Sequence, residues 1–157
     1  MLIEGSCHCR AVRFSVESRE PVPFMRCYCS ICRKTAGSGG FAINLGADHA
    51  SLRVQGKAHL CVYRAKLEDG RESTGQRHFC KHCGTALWLW DPTWPDLVHP
   101  HAGAIDTVLP QPPHVTHMML GSKPAWVEAH VRPGDASFDD SPDESLADWH
   151  RRNGQNF

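Results

Sequence analysis

Cys27-Tyr28-Cys29-Ser30-Ile31-Cys32 places three cysteines inside six residues. Thiolates crowded this closely suit one metal ion, because zinc binds cysteine sulfur at about 2.3 Å and takes four tetrahedral ligands. Three sulfurs can converge on such an ion, and no neighbouring residue offers an obvious fourth. Structural zinc sites close with four protein ligands, whereas catalytic ones keep a position for water or substrate. Working outward, Cys7-His8-Cys9 lies upstream and Cys80-Lys81-His82-Cys83-Gly84 lies downstream. Together these pairs make a complete four-cysteine site, which leaves the triplet on its own. The expectation is two metal sites, one shut and one open.

Local spacing supports this. After Cys9, Val12, Phe14 and Val16 alternate with Arg13 and Ser15 in the period-2 manner of a half-buried strand. In extended chain residues i and i+2 point the same way, so both sulfurs of the first pair can reach one ion. C-x-x-C followed by glycine is the zinc-knuckle arrangement, in which a tight turn aims both sulfurs inward. His78 and His82 flank it and could ligate, although four cysteines suffice. His99 and His101, at i and i+2, are the best candidates for an additional ligand, against the plainer reading of polar loop histidines.

The chain has 157 residues, the length of one domain, and is expected to be a single unit over 1–157, with a core about 3–133 and an acidic tail 134–157. With 17 basic and 17 acidic residues its formal charge is zero, which argues against a nucleic-acid-binding surface. No apolar run approaches the roughly 18 residues needed to span a bilayer, so no membrane partner is expected. Met1-Leu2-Ile3-Glu4-Gly5 has no charged and apolar leader pattern, so no secretory signal is expected. Eight cysteines would permit a disulfide framework, but their clustering fits metal ligation better, and with it a reducing compartment, most simply the cytoplasm.

Elsewhere the pattern is all-β with little helix. Glu20-Pro21-Val22-Pro23 reads as a turn or extended link, and Arg33 to Ala36 as a short helical turn before a glycine-rich loop, Gly37-Ser38-Gly39-Gly40. That loop admits either close backbone approach to a ligand or plain flexibility. Phe41–Leu45, Ser51–Val54, His59–Tyr63, Ala86–Trp90, Ala102–Asp106 and Thr116–Leu120 read as strands. Asp69-Gly70 is a hairpin signal, and the stretch around Trp94, Pro95 and Pro100 is turn-rich. Cys61, between Leu60 and Val62, reads as core filler, with a redox or ligand role as the alternative. The acidic run Asp135 to Asp148 reads as a solvated face, and Ser145 to His150 as a short helix packing Leu146 and Trp149.

Gly5-Ser-Cys-His-Cys-Arg-Ala-Val-Arg-Phe14, Cys27-Tyr-Cys-Ser-Ile-Cys-Arg33 and Phe79-Cys-Lys-His-Cys-Gly84 together resemble the glutathione-dependent formaldehyde-activating enzyme family, also called the centromere protein V/Gfa family. Gly121-Ser-Lys-Pro-Ala-Trp126 and Phe138-Asp-Asp140 resemble its C-terminal pattern. The resemblance implies a β-tent fold, similar to Mss4 and to methionine sulfoxide reductase B. It implies a structural zinc on Cys7, Cys9, Cys80 and Cys83, and a second, catalytic-type zinc on Cys27, Cys29 and Cys32. The implied activity is carbon–sulfur bond formation or cleavage, condensing formaldehyde with glutathione to S-hydroxymethylglutathione.

In that chemistry the open zinc position either holds a substrate thiol as the nucleophilic thiolate or polarises the aldehyde carbonyl. Arg33 and Lys34 are the expected contacts for an anionic thiol, against the reading of two solvated charges. His49, His99, His101 and Tyr63 are the candidates for proton transfer. Two other classes compete with a zinc-dependent carbon–sulfur lyase. One is a non-catalytic zinc-binding interaction module, which a hidden fourth ligand on the triplet would favour. The other is a methionine sulfoxide reductase, which would need an exposed, nucleophilic Cys61.

Overall fold

The computed structural model describes residues 1–19 and 21–154; Glu20 of the expected proline-rich link and residues 155–157 of the tail lie outside them. In chain order the regular elements are β1 (Leu2–Ser6), β2 (Arg13–Glu17), β3 (Phe24–Cys27), α1 (Ser30–Ala36), β4 (Ala42–Asn44) and β5 (Ala47–Asp48). Then come β6 (Arg53–Gln55), β7 (Leu60–Tyr63), β8 (Gln76–Cys80), β9 (Ala86–Trp90), β10 (Leu97–Pro100), β11 (Val115–Met118), β12 (Ala136–Ser137) and α2 (Leu146–Arg152). The strands form three sheets, ordered β1-β2-β6, β5-β10-β9-β8-β7 and β12-β11-β3-β4. The fold is mainly β, the β-tent architecture expected, with two short helices among the described residues.

The principal core lies between the first two sheets. Ile3, Phe14 and Val16 of the first, with Val12 just before β2, meet Leu87, Trp88 and Val98 of the second. Phe14 sets its edge on the Trp88 ring, with centroids 5.2 Å apart, an arrangement worth about 0.5–1.5 kcal/mol beyond its buried area. The period-2 reading of β2 holds, since Val12, Phe14 and Val16 are all buried. Cys7 and Cys80 belong to this same core, at its rim. The third sheet is mixed: β11 runs parallel to both β3 and β12, while β4 is antiparallel to β3. A smaller cluster of Cys27, Cys32 and Ala42 with Met118 and Met119 sits on it.

Several local expectations are corrected. Residues 102–106 are a single 3-10 turn, Ala102–Ala104, and one bridge from Ile105 to Gly5, because the segment supplies no second ladder partner. The turn-rich stretch contains a strand, β10, which the long-range pairing of His99 with Leu89 extends despite Pro100. The helix expected from Arg33 begins earlier, at Ser30, since Cys29 caps it. Cys61 lies opposite Phe79 on β7, half-buried and outside the core. Asp135 is not part of a solvated face: its buried carboxylate accepts from Val115 N at 2.9 Å and from Arg132. Trp149 of α2 is buried as expected, and β12 and α2 pack onto the third sheet's side of the chain.

Gly56 has φ of +77°, and a Cβ there would overlap the Ala11 carbonyl oxygen beside the Cys7–Cys9 turn. Backbone on backbone cannot give way, and the left-handed conformation disfavours a side chain. Gly56→Ala is expected to lower unfolding free energy by about 2–5 kcal/mol, read as a lower urea midpoint at unchanged slope.

Candidate functional site

Two sulfur clusters lie at the ends of strands. The first is built by two turns that leave β1 and β8. After β1, Cys7 is buried, its sulfur accepts from Val12 N at 3.2 Å, and Arg10 N bonds Cys7 O at 2.9 Å. Arg10 takes φ +64° at this turn, a conformation uncommon for a residue with a side chain. After β8, Gly84 takes φ +74° at the matching point, with Gly84 N bonding Cys80 O at 2.8 Å and His82 N pointing at Cys80 Sγ at 3.4 Å. The two turns face each other: Cys7 Sγ to Cys9 Sγ is 3.6 Å and Cys9 Sγ to Cys80 Sγ is 3.7 Å. All four sulfurs, Cys83 included, lie within 4.8 Å of one another. Tetrahedral zinc with bonds of about 2.3 Å needs sulfur–sulfur edges of about 3.8 Å, so these residues fit the ion. Amide donors aimed at sulfur favour the thiolate a metal requires. The Thr85 hydroxyl, 3.2 Å from Cys83 Sγ, is the main cause drawing that thiol down to about 5.

The second cluster joins Cys27, Cys29 and Cys32, again within 4.8 Å. Cys27 is the buried last residue of β3, Cys29 caps α1 by accepting from Cys32 N at 3.3 Å, and Cys32 lies buried in the first turn. One capping bond thus places two sulfurs on the same side of the helix start. Cys29 is half-buried where its partners are 4% and 5% exposed, so the cluster opens on the Cys29 side. The hydrogen bond with Cys27 holds the Cys29 thiol far down, at about 2, and the same bond pushes Cys27 up. Three crowded thiols therefore share their charge, the state a cation would relieve. Among the described residues no histidine or carboxylate joins either cluster. Tyr28, fully buried between the cysteines, bonds His117 Nδ1 at 2.9 Å, and His117 Nε2 lies 3.5 Å from Asp135. This buried chain ties the triplet to β11 and to the segment before β12. Burial opposes ionisation of Asp135, but Val115 N and Arg132 outweigh it and hold its pKa well below the usual carboxylate range.

Two cavities adjoin the triplet's helix. One, of about 530 Å³, runs along Lys34, Thr35, the glycine-rich loop, Phe41 and His101. The other, of about 290 Å³, is lined by Thr35, Tyr63, Arg77, His78, Phe79 and His101 among others. They share Thr35, Ala86 and His101. Arg77 links the second cavity to the triplet, its Nη2 lying 3.9 Å from Cys32 Sγ.

The sequence pattern of the family described as "Glutathione-dependent formaldehyde-activating enzyme" matches residues 2–121, a span that contains both clusters and both cavities. This chain belongs to that family. A relative in Halomonas elongata, provisionally named a glutathione-dependent formaldehyde-activating enzyme, is 58% identical over 154 residues, covering 98% of each chain. A crystal structure of a Rhodobacter sphaeroides protein superposes with a TM-score of 0.54 at 29% identity, over 68% of this chain and 91% of that one.

In this formaldehyde-activating family member the expected residues are partly separated. Lys34 is exposed on the larger cavity, whereas Arg33 is half-buried, lines neither cavity and leaves its Nε without a hydrogen-bond partner. Of the proton-transfer candidates, Tyr63 and His101 reach a cavity. His99 instead bonds Leu45 O at 2.9 Å, and His49 stacks on Trp90 with centroids 4.9 Å apart. His78 stacks on Trp88 and His82 bonds His59 at 2.9 Å, so both stand apart from the sulfurs they flank. Arg77 and the Tyr28–His117–Asp135 chain carried no sequence signal, since their partners are 45, 89 and 18 residues away.

His101 is buried against Asn44, at 3.0 Å from Asn44 Oδ1. Burial first, then the charge of Arg77, lowers its pKa from 6.5 to about 4. The unfolded chain therefore binds the proton more readily, so the stability from neutral His101 is complete above pH 6.5 and is lost as pH falls towards 4. His101→Gln is expected to show a shallower fall of urea midpoint than wild type across this window, measured by fluorescence.

Proposed function

We propose that this chain is a zinc-dependent carbon–sulfur lyase of the S-(hydroxymethyl)glutathione synthase type, acting on glutathione and formaldehyde. The carrying observation is the contrast between the clusters. Four sulfurs complete one; three sulfurs, with no fourth histidine or carboxylate among the described residues, make the other, half-exposed at Cys29 and reached at Cys32 by Arg77 of the neighbouring cavity. In this reading Cys7, Cys9, Cys80 and Cys83 hold a structural zinc, and Cys27, Cys29 and Cys32 hold a second. Zinc bound at the triplet supplies a position at which a thiol is held as thiolate, the reactive form.

The chain's own residues do the rest. The capping bond from Cys32 N fixes Cys29, and the Tyr28–His117 bond fixes the strand end between Cys27 and Cys29. Met118, Met119 and Ala42 pack against the sulfurs and keep apolar surface around Cys27 and Cys32. Lys34 and Arg33 supply positive charge for the anionic thiol. The bond formed joins the thiol sulfur to the aldehyde carbon, and the thiol proton ends on the new hydroxyl oxygen. No oxidant or reductant is needed. The unpaired thiols suit a reducing compartment, the cytoplasm in this reading, and the chain is read as one domain.

Elemental analysis of the purified protein is expected to find two zinc ions per chain, and one in a folded Cys29→Ser/Cys32→Ser variant. NMR of glutathione with formaldehyde is expected to show faster adduct formation with wild type and the uncatalysed rate with that variant. Two zinc ions with no acceleration would overturn the lyase reading and leave a zinc-binding interaction module. Arg33→Ala/Lys34→Ala is expected to raise KM for glutathione about 3- to 10-fold with kcat nearly unchanged.

A further inference from the structure

Arg77 stands apart from the other basic residues of the site. It is the second residue of β8, between Tyr63 of β7 and Leu89 of β9. Its Nη2 approaches Cys32 Sγ at 3.9 Å, a weak contact for a guanidinium. Its Nη1 is buried and has no hydrogen-bond partner. A buried donor left unpaired in a native protein marks a place where a water, ion or ligand belongs. Nη1 lies on the Gly75 side of the guanidinium, 3.4 Å from where a Cβ on that glycine would stand. Asp91 is close enough to feel the charge, yet its oxygens are taken by Thr74 and Thr93.

The cavity of about 290 Å³ in which Arg77 sits has one permanent cation among its lining residues, and that cation is Arg77. Its two histidines are held neutral, chiefly by burial. A planar guanidinium presents donors in a fork matched to a carboxylate, and Lys34 on the neighbouring cavity does not.

From the unpaired Nη1 and the approach of Nη2 to Cys32, we infer that Arg77 is the carboxylate anchor of the thiol site. The ligand class is then a thiol carrying a carboxylate, with sulfur at the triplet and carboxylate on the guanidinium. This rests on reading the triplet as the thiol site. It adds a strand residue on another sheet to the charge that Arg33 and Lys34 supply from the helix.

The probes are 3-mercaptopropionate, which carries the carboxylate, and 2-mercaptoethanol, which does not. Binding to the purified full chain is read by calorimetry, with zinc content measured on every sample. Wild type is expected to prefer 3-mercaptopropionate by about tenfold or more, a charge-assisted bidentate contact. Arg77→Met is expected to erase that preference while leaving 2-mercaptoethanol affinity and zinc content unchanged, and Arg77→Lys to restore it in part. Equal loss of both thiols in Arg77→Met would overturn the inference and make Arg77 a support for Cys32. So would an unchanged preference, or a wild type that binds neither thiol. Retained preference for the carboxylate thiol in a protein that does not accelerate glutathione adduct formation would keep the anchor and remove only the proposed reaction.

Discussion

The convergence of four sulfurs from two turns, one leaving β1 and the other leaving β8, is the constraint on which the rest of the structure depends. Cys9 and Cys80 are 71 residues apart in sequence and 3.7 Å apart in space. Closing so long a loop costs chain entropy, and a core of this size has limited apolar area to offset it. Both turns therefore sit at the rim of the main core, with Cys7 and Cys80 packed into it. The β1–β2–β6 sheet faces the five-stranded sheet there, and Phe14 on Trp88 continues the contact inward. Each turn needs one left-handed residue. Glycine serves in one, and Arg10 accepts the conformation in the other.

The triplet is held by different means. No partner cluster faces it; its geometry comes from a strand end, a helix cap and the buried Tyr28–His117–Asp135 chain. These fix three sulfurs from behind while Cys29 stays half-exposed in front. Three sulfurs held in this way are positioned without being enclosed, as the proposed thiol chemistry at a metal requires. The charge around it is supplied by different sheets and helices, with Lys34 on one cavity and Arg77 on the other.

Local signals in the sequence reached the parts whose causes are local. The alternation of Val12, Phe14 and Val16 marks β2 because a strand's side-chain period is two. The C-x-x-C-G knuckle is legible because Gly84 answers a turn requirement four residues from Cys80. The helix at Ser145 follows from its cap and from Trp149. The failures share a cause as well. Residues 102–106 have strand composition but lack a ladder partner, and β10 has turn composition but gains two, β5 and β9. Asp135 reads as solvent-facing because nothing near it in sequence announces the buried Val115 amide that it receives.

The two sulfur clusters, the mainly β class and the family are legible along the chain, because metal-ligand spacing and strand periodicity are written over a few residues. Which charges lie near the triplet is settled by the folded chain. It separated Arg33 from Lys34, turned His99 away to a backbone carbonyl and brought Arg77 across 45 residues to Cys32. Electrostatic partners act through space, so their pairing is set by sheet order and strand register, which no short stretch of chain encodes.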